Sequence, residues 1–230
     1  MTYGNVREGR FISRPNRFIA KIELDGREET VHVKNTGRCR ELLVPGCRVI
    51  VEKSLSPARK TAFDLIAVYK EREGKPPLLV NMDSQAPNKA ATEWIKGGLF
   101  SQDAAVYPEK TYGSSRFDLY IEDCGRKAFV EVKGVTLEQE GVVLFPDAPT
   151  ERGVKHLREL ITAAEQGYEA YILFVVQMQE VSLFRPNRAT HPEFADALRA
   201  AADAGVRVLA VDCIVTPDSM VIDKFVQTEI

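Results

Sequence analysis

The first third of the chain consists of short runs in which apolar and polar residues alternate. Residues 18–24 alternate in this way, which is typical of a strand with one buried face. Asp25-Gly26 then predicts a tight turn into a second strand over residues 28–33. The two runs are therefore expected to form a hairpin.

Three more short strands are predicted after the hairpin, near residues 48–53, 62–70 and 78–81. Residues 40–44 form a short helix or turn before them, and no long helical pattern interrupts this part of the chain. About five short strands in some 80 residues favour a small closed or partly open barrel of the oligonucleotide-binding (OB) kind.

The pattern changes after residue 81, where helices and strands begin to alternate. Apolar residues at helical spacing predict helices near 88–96, with Asn88 as the N-cap, and near 151–166 and 192–205. Strands are predicted near residues 104–107, 117–122, 127–133, 170–177 and 206–211. This order is typical of an α/β domain with a mixed central sheet flanked by helices. We therefore expect a two-domain α+β or α/β protein, with a barrel over residues 1–82 and an α/β domain over 83–230.

Charge is distributed unevenly between these two segments. The whole chain of 230 residues has a formal net charge of -2. Residues 1–82 contain 16 basic and 10 acidic side chains, a net charge of +6, whereas residues 83–230 have a net charge of -8. A basic segment suits a phosphate-bearing partner and an acidic segment suits a cation, so the two parts are expected to have different functions.

The composition excludes several classes of protein. Hydrophobic residues make up 44% of the chain and charged residues 28%, as in ordinary globular proteins. No apolar run approaches the roughly 20 residues that cross a bilayer, and the first residues do not resemble a secretory leader. A cytoplasmic protein without a membrane partner is therefore expected. Four scattered cysteines predict reduced thiols, with neither a zinc site nor a disulfide framework: Cys39, Cys47, Cys124 and Cys213.

Two neighbouring strands carry the residues with the clearest chemical pattern. Glu131 and Lys133 share one face of the second strand because side chains alternate with a period of two. Asp118 in the first strand points away from Phe117 and Leu119, and pairing across the short turn brings it beside Glu131. Burying two carboxylates and an ammonium in an apolar strand pair costs free energy, and either ion pairs or a divalent metal must offset that cost.

A metal site of this kind predicts a reaction. Two carboxylates offer hard oxygen ligands to Mg²⁺ or Mn²⁺, which also bind substrate phosphate. A bound metal activates water, and Lys133 is placed to position that water or to offset charge on the phosphate. The pattern therefore indicates hydrolysis of a phosphodiester. The alternative is a surface Glu-Lys pair on an edge strand, with no chemical role.

The spacing of Asp118 and Glu131-Val132-Lys133 resembles that of the PD-(D/E)xK nuclease superfamily. The whole chain more closely resembles the sugar fermentation stimulation protein A family. The segments that carry this second resemblance are Gly9-Arg10-Phe11, Asn16-Arg17-Phe18, Val31-His32, Asn35-Thr36-Gly37-Arg38-Cys39, Glu41-Leu42-Leu43, Pro45-Gly46, Arg59-Lys60-Thr61, Pro87-Asn88, Ser115-Arg116-Phe117-Asp118, residues 131–137 and 145–150, Arg152-Gly153, Lys155-His156-Leu157 and residues 172–177.

The resemblance implies an N-terminal OB-like barrel, a C-terminal PD-(D/E)xK nuclease-like α/β domain and DNA binding. It implies metal-ligand roles for Asp118 and Glu131 and the superfamily's lysine role for Lys133. A proline usually precedes the first aspartate in the superfamily, and this chain departs from that pattern at the position before Asp118. Glu109 matches the family and is a further catalytic candidate, with an exposed loop acid as the alternative. Glu93 lies where related nucleases often have a helical carboxylate.

The predicted helix over residues 151–166 carries a second polar group. Arg152, His156 and Glu159 fall on one face of it, beside the apolar stripe. Arg152 and His156 are expected to contact nucleic acid or to hydrogen-bond beside the metal, and a solvated polar face is the alternative. Asp147, between two prolines, is either a turn residue or part of the site.

Basic residues with aromatic neighbours are concentrated in the first segment, as single-strand binding requires. Phe11 and Phe18 either stack on bases or belong to the core. The Gly-containing loop over residues 35–38 exposes backbone N–H groups that suit a phosphate. Binding is expected to be weak in sequence specificity and strongly dependent on salt. The residues expected to contact nucleic acid in this segment are Arg10, Arg14, Arg17, Asn35, Arg38, Arg40, Arg59 and Lys60.

Two functions fit these patterns. The first is a nuclease that uses Mg²⁺ or Mn²⁺ and no organic cofactor. The second is a non-catalytic DNA-binding regulator of sugar (maltose-type) metabolism on a nuclease-like scaffold. A small-molecule enzyme is disfavoured because no cofactor loop or nucleophile elbow is visible. The partner is DNA of either strandedness, RNA is an alternative, and a homodimer is among the arrangements left open.

Overall fold

The strands of the first part of the chain form a sheet that closes on itself. The structure is a computed structural model and describes residues 1–35, 37–55 and 59–230. The strands are β1 Val6–Asn16, β2 Ile19–Leu24, β3 Arg27–Val33, β4 Arg48–Lys53, β5 Phe63–Arg72 and β6 Lys75–Asn81. Their order is β3-β2-β1-β4-β5-β6, and a parallel pairing of β3 with β5 closes the first five strands into a barrel.

Inward-facing side chains of these strands fill the barrel. Phe11, Ile22 and Leu65 are each no more than 3% exposed. Phe11 therefore belongs to the core and does not form part of a base-stacking surface. Phe18 is 49% exposed instead, and the Arg17 guanidinium lies 5.4 Å from the centre of its ring. This pair leaves an aromatic and a cationic group together on the surface of the barrel.

The strands of the second part form a mixed sheet. They are β7 Ala105–Tyr112, β8 Ser115–Asp123, β9 Arg126–Val135, β10 Leu137–Gln139, β11 Val142–Phe145, β12 Glu169–Val176, β13 Leu183–Pro186, β14 Arg207–Thr216 and β15 Ser219–Thr228. Their order is β10-β11-β13-β15-β14-β12-β9-β8-β7, with β9, β12 and β14 parallel to one another near the centre. Nearly every residue of β12 is buried, as its continuous apolar sequence predicts.

Helices cover both faces of the mixed sheet. They are α1 Ala86–Gly98, α2 Glu151–Glu165 and α3 Pro192–Asp203. On one face, Ile95 of α1 belongs to a buried cluster with Val130 of β9. On the other face, Leu157 of α2 and Phe194 of α3 belong to a cluster with Phe174 of β12. None of the helices in the described part of the chain has the length and apolar character needed to cross a membrane.

Helix α1 begins earlier than the sequence pattern predicts. Pro87 occupies its first turn, where a backbone N–H is not needed, and Gln85 is the N-cap residue. The predicted cap at Asn88 is therefore wrong. Asn88 lies inside the helix, and its side chain binds a different partner, Asp118.

The two sheets meet at a buried amide. Gln177, directly after β12, is 2% exposed. Its Nε2 donates to the carbonyl oxygens of Asn81 and Asp83, each at 3.1 Å, and to Asn81 Oδ1 at 2.9 Å. Lys34 of the barrel adds an ion pair with Asp83 at 3.1 Å. These contacts hold the barrel against the mixed sheet, and the domain boundary at residue 82 stays a prediction.

Gln177→Leu should lower the free energy of unfolding by about 2 kcal/mol, because buried acceptors on Asn81 and Asp83 lose their donor. Urea titration of the purified protein measures this change. Gln227→Leu is the matched control because that glutamine is exposed on β15, and it should change the free energy of unfolding by less than about 0.5 kcal/mol. Equal effects of the two substitutions would contradict the role given to the junction.

Candidate active site

Asp118 lies where the pairing of β8 with β9 ends. The last paired residues are Leu119 and Val130. Beyond them, Asp118 Oδ2 accepts a hydrogen bond from the backbone N–H of Val132 at 2.8 Å. Asp118 Oδ1 accepts one from Asn88 Nδ2, also at 2.8 Å. The sheet and α1 therefore each supply one donor to this carboxylate.

The side chains of β8 do not alternate strictly around Asp118. Phe117 and Tyr120, three positions apart, both pack on Phe129, with ring centroids 5.2 and 5.0 Å away. Leu119 belongs to the cluster on the opposite face, under α1. The prediction of one apolar face shared by Phe117 and Leu119 is therefore wrong. Regular pairing with β9 stops at this point, which frees the Asp118 carboxylate to reach the β9 backbone.

Glu131 is the most deeply buried acid of the candidate site, at 2% exposed. Its Oε1 accepts hydrogen bonds from Lys133 Nζ, at 2.5 Å, and from His156 Nδ1. Its Oε2 is buried and has no hydrogen-bond partner among the residues that the structure describes. An unpaired carboxylate oxygen inside a protein is costly, so this atom marks a place where a cation would be stabilised.

The charge of Glu131 influences the ionisation of Asp118. Burial raises the pKa of Asp118, and the negative charge of Glu131 raises it further. Burial also acts to raise the pKa of Glu131, but the hydrogen bonds from His156 and Lys133 and the positive charge of Lys133 outweigh it and hold that pKa below its usual value. The two carboxylates repel each other, and a divalent cation between them would remove the repulsion.

A cavity of about 450 Å³ opens beside Asp118, between α1 and β7. Glu93 and Glu109 both line it, so the additional carboxylates predicted from the sequence share a space with Asp118. Glu109 has a φ of 57°, which is uncommon outside glycine and is found often at functional sites. Its carboxylate pairs with Arg116 at 3.4 Å, and that of Glu93 pairs with the N-terminal amino group at 2.6 Å.

His156 lies beneath the surface, so the alternative of a solvated polar face is wrong for this residue of α2. Its ring is 3% exposed, and its Nε2 accepts a hydrogen bond from Arg152 Nε at 3.3 Å. The ring contacts Glu131 because α2 packs this turn against β8 and β9, and a contact of His156 with nucleic acid stays a prediction. Glu159 accepts a hydrogen bond from Ser114 Oγ at 2.8 Å, and Arg152 remains exposed.

A second group of candidate metal ligands lies where α2 and α3 begin. Glu151, His191 and Glu193 each offer one ligand atom, and these atoms lie within 4.8 Å of one another. His191 Nδ1 accepts a hydrogen bond from the Thr150 N–H at 3.2 Å, so the hydrogen of a neutral ring is on Nε2. Nε2 lies 3.5 Å from Glu151 Oε1. This atom is better placed to donate to Glu151 than to bind a metal.

Two basic residues predicted to bind nucleic acid have partners within the protein. Arg59 forms a two-bond pair with the buried carboxylate of Asp64, at 2.5 and 2.7 Å. Arg14 donates to four backbone carbonyls, those of Arg17, Asn35, Gly37 and Arg38. Both guanidinium groups therefore hold loops of the barrel in place, and binding of nucleic acid by them would compete with these bonds.

The remaining basic candidates of the barrel lie on its surface. Arg10 is exposed and donates to the Gly46 carbonyl at 3.2 Å. Arg17, Arg38, Arg40 and Lys60 are also exposed. We call these last four residues the basic surface of the barrel.

The loop after β3 contacts the second domain. Asn35 Oδ1 accepts the Gly37 N–H at 2.8 Å, and Thr36 lies outside the described residues. Gly37 approaches Asp147 so closely that an added Cβ would lie 2.5 Å from the aspartate Oδ2. Asn35 and Asp147 both line a small cavity of about 110 Å³. Asp147 therefore lies where the two domains touch, beside the end of β9.

The fold and the buried centre define a class of two-domain protein, in which an OB barrel precedes a mixed-sheet domain with clustered carboxylates and a lysine. Residues 12–75 match the family model described as the SfsA N-terminal OB domain. Residues 85–219 match the model described as the sugar fermentation stimulation protein RE domain. The chain therefore belongs to the sugar fermentation stimulation protein family.

Relatives cover the chain from end to end. The sugar fermentation stimulation protein homolog of Desulfitobacterium hafniense (strain Y51) is 56% identical over 230 residues, covering 100% of this chain and 99% of that protein. The homolog of Clostridium beijerinckii is 54% identical over 227 residues and covers 98% of both. A solved structure of Pyrococcus furiosus SfsA in complex with Ca²⁺ has a TM-score of 0.87 at 28% identity, covering 100% of this chain and 98% of that chain. These matches confirm the predicted two-domain fold.

Two contacts of the site join residues far apart in the sequence and could not be predicted from the pattern around either residue. Asn88 binds Asp118 across 30 positions, and His156 binds Glu131 across 25. The spacing of Arg152 and His156 on one helical face was a partial indication, but it did not reveal which strand residue the imidazole meets. Both contacts depend on how α1 and α2 pack on the sheet.

Proposed function

We propose that this protein is a divalent-metal-dependent nuclease, which hydrolyses phosphodiester bonds in nucleic acid held by its barrel. The observation that carries the proposal is the buried centre of Asp118, Glu131 and Lys133. Within it, Glu131 Oε2 is buried without a partner among the described residues. Mg²⁺ or Mn²⁺ is the proposed cation because both suit carboxylate oxygens together with substrate phosphate.

The donor set suits a hard cation. Asp118 and Glu131 offer oxygen atoms, which are the ligands that Mg²⁺ and Mn²⁺ prefer. Glu93 and Glu109 add negative charge around the adjacent cavity. The Pyrococcus furiosus relative is a complex with Ca²⁺, which also prefers oxygen ligands, and this supports a hard-cation site in the family.

Each residue of the centre has a role in the proposed reaction. A bound cation would polarise the phosphate and lower the pKa of a bound water. Asp118 and Glu131 would hold it from two adjacent strands. Lys133 Nζ lies 2.5 Å from Glu131 Oε1 with a side chain 17% exposed, so it can offset negative charge that develops on the phosphate. Arg152, exposed on α2, would bind a neighbouring phosphate.

The barrel supplies the binding surface in this proposal. Residues 1–82 have a net charge of +6, and the basic surface of the barrel is exposed. The exposed ring of Phe18 beside Arg17 suits stacking on a base of single-stranded DNA or RNA. Phosphate contacts fix the position of a nucleic acid without reading its sequence, so binding of low sequence specificity is proposed.

A cleavage assay tests the proposal. The purified protein is incubated with end-labelled single-stranded, duplex and branched DNA and with RNA, in Mg²⁺, in Mn²⁺ and in EDTA. We expect cleavage of at least one substrate with either metal and none in EDTA. Cleavage that continues in EDTA, or no cleavage of any substrate with either metal, would reject a metal-dependent nuclease.

A non-catalytic DNA-binding regulator is the second candidate, and the concentration of positive charge in residues 1–82 favours it. The names of the relatives, which refer to stimulation of sugar fermentation, also point to regulation. If this alternative holds, the acidic centre of the second domain stabilises the fold and has no catalytic role. DNA binding that is retained in EDTA, without cleavage under any of the conditions above, would support it.

A further inference from the structure

We propose that His156 is a positioning residue, which donates its Nδ1–H to Glu131 Oε1 and so turns Glu131 Oε2 toward the cation. This inference rests on the proposed function, because it assigns a metal to Asp118 and Glu131. It identifies the residue that this buried imidazole contacts, which the sequence alone does not show. The geometry around the ring supports each step.

The first step is that the ring is held inside the protein. His156 is 3% exposed, and Phe117 packs on it edge to face with ring centroids 6.1 Å apart. Thr150 caps α2 by accepting the Gly153 N–H at 3.1 Å, which fixes where the first turns of the helix begin. A ring fixed in this way can act on substrate only through the residues that it contacts, and Glu131 is one of them.

The second step is the position of the ring hydrogen. A guanidinium has only donors, so the contact from Arg152 Nε to His156 Nε2 at 3.3 Å makes Nε2 an acceptor. A neutral imidazole has one N–H, which must then be on Nδ1. Nδ1 faces Glu131 Oε1. Arg152 and Glu131 therefore select the same tautomer from opposite sides of the ring.

The third step is the asymmetry that this produces in the carboxylate. Lys133 Nζ and His156 Nδ1 both bind Glu131 Oε1, so one oxygen receives two donors. The other oxygen, Oε2, is buried and has no partner among the described residues. Rotation of the carboxylate would break both hydrogen bonds. His156 and Lys133 together therefore keep Oε2 in the position from which it would bind the cation.

His191 provides an internal comparison because it is also buried, at 7% exposed. Its Nδ1 accepts the Thr150 N–H, so its neutral form has the hydrogen on Nε2. The structure therefore assigns opposite tautomers to the two buried histidines. The chain has three histidines in total, the third being His32, so their signals can be assigned by substitution.

Long-range ¹H–¹⁵N NMR of the metal-free protein distinguishes the two tautomers. We expect an Nδ1–H imidazole for His156 and an Nε2–H imidazole for His191. His156→Asn and His191→Asn assign the two sets of signals. An Nε2–H tautomer at His156 would overturn the proposal, because that ring has no hydrogen to donate to Glu131.

Calorimetric titration with Mn²⁺ tests the consequence for the metal site. His156→Leu removes the donor and should weaken Mn²⁺ binding about 10- to 100-fold, the usual effect of losing a partner of a metal ligand. His156→Asn keeps an N–H at the position of Nδ1 and should restore affinity to within about threefold of wild type. This rescue separates positioning from a general loss of structure, which circular dichroism also monitors.

His191→Leu is the matched control, because it removes a buried histidine outside the centre and should leave Mn²⁺ affinity unchanged. Loss of Mn²⁺ binding in His191→Leu but not in His156→Leu would place the metal at Glu151, His191 and Glu193 and overturn the proposal. If the wild type binds no Mn²⁺, the proposed function fails, and the NMR tautomers still decide whether His156 holds Glu131.

Discussion

Glu131→Gln should lower the rate of metal-dependent cleavage by about 1,000-fold, because it removes a ligand whose metal supplies several kcal/mol of transition-state stabilisation. The substitution preserves the shape of the side chain but removes its charge. Gel assays under single-turnover conditions, with the substrate that the wild type cleaves best, measure the rate. Asp118→Asn should behave in the same way, since it removes the charge of the second carboxylate.

The same substitution should abolish the stabilisation that Mn²⁺ gives to the wild type. A ligand at about 100 times its Kd stabilises the folded state by about 2.7 kcal/mol. For a chain of this size each kcal/mol raises Tm by about 2–4 °C, so a rise of about 5–10 °C is expected in the wild type. Differential scanning calorimetry with and without Mn²⁺ measures the shift.

Glu138→Gln is the control for this prediction. Glu138 is also buried, at 7% exposed, and it accepts hydrogen bonds from Lys70 Nζ and the Gly141 N–H, each at 2.5 Å. Its replacement should lower Tm in the absence of metal but leave both the cleavage rate and the shift caused by Mn²⁺ intact. If Glu131→Gln and Glu138→Gln have the same effects, the metal is not bound at Glu131.

Strands with a strong apolar signal were predictable from the sequence, and strands with a weak one were not. The predicted strand over 170–177 corresponds to β12 because a strand in the middle of the sheet needs apolar side chains on both faces. The sequence pattern did not reveal β1, Val6–Asn16, in which most side chains face outward and only two positions are buried. β13, Leu183–Pro186, is four residues long and depends on parallel pairing with β11.

The centre of the site was predictable only as far as local geometry defines it. Period-two alternation correctly places Glu131 and Lys133 on one face, and their side chains touch at 2.5 Å. Alternation fails at Asp118, whose carboxylate depends on where the pairing of β8 with β9 ends. The partners from α1 and α2 depend on helix packing, which a pattern within one element does not contain.

Charge patterning predicts a binding surface, which stays a prediction, and it does not show which arginines already have partners within the protein. Arg14 and Arg59 carry the same charge as their neighbours in the sequence, yet both bind protein oxygens. Composition cannot distinguish them from Arg38 or Arg40, because it does not show which carbonyls and carboxylates lie within reach. A mutational test should therefore be directed at the basic surface of the barrel, whose four residues are exposed.

Replacing the basic surface of the barrel should weaken nucleic-acid binding several-hundred-fold at about 0.1 M salt. The variant changes Arg17, Arg38, Arg40 and Lys60 to Ala. Each lost phosphate contact reduces the slope of log K against log salt by about 0.7 for a single strand, so the slope should fall by about 3. Fluorescence anisotropy of a labelled oligonucleotide in EDTA, over a series of salt concentrations, measures both quantities without cleavage.

The control removes the same number of exposed cations from the second domain, and its substitutions are Arg158→Ala, Arg188→Ala, Arg199→Ala and Lys224→Ala. It changes net charge by the same amount, so a long-range effect of total charge would appear equally in both variants. We expect the control to keep nearly the wild-type slope, because the second domain has a net charge of -8 and repels phosphate when no cation is bound. Equal losses of nucleic-acid affinity in the two variants would show that the binding surface is not on the barrel. A loss of affinity confined to the first variant would locate binding on the barrel, and cleavage would then be assigned to the acidic domain. In that case divalent cations bound to the acidic domain should strengthen its contact with the bound strand.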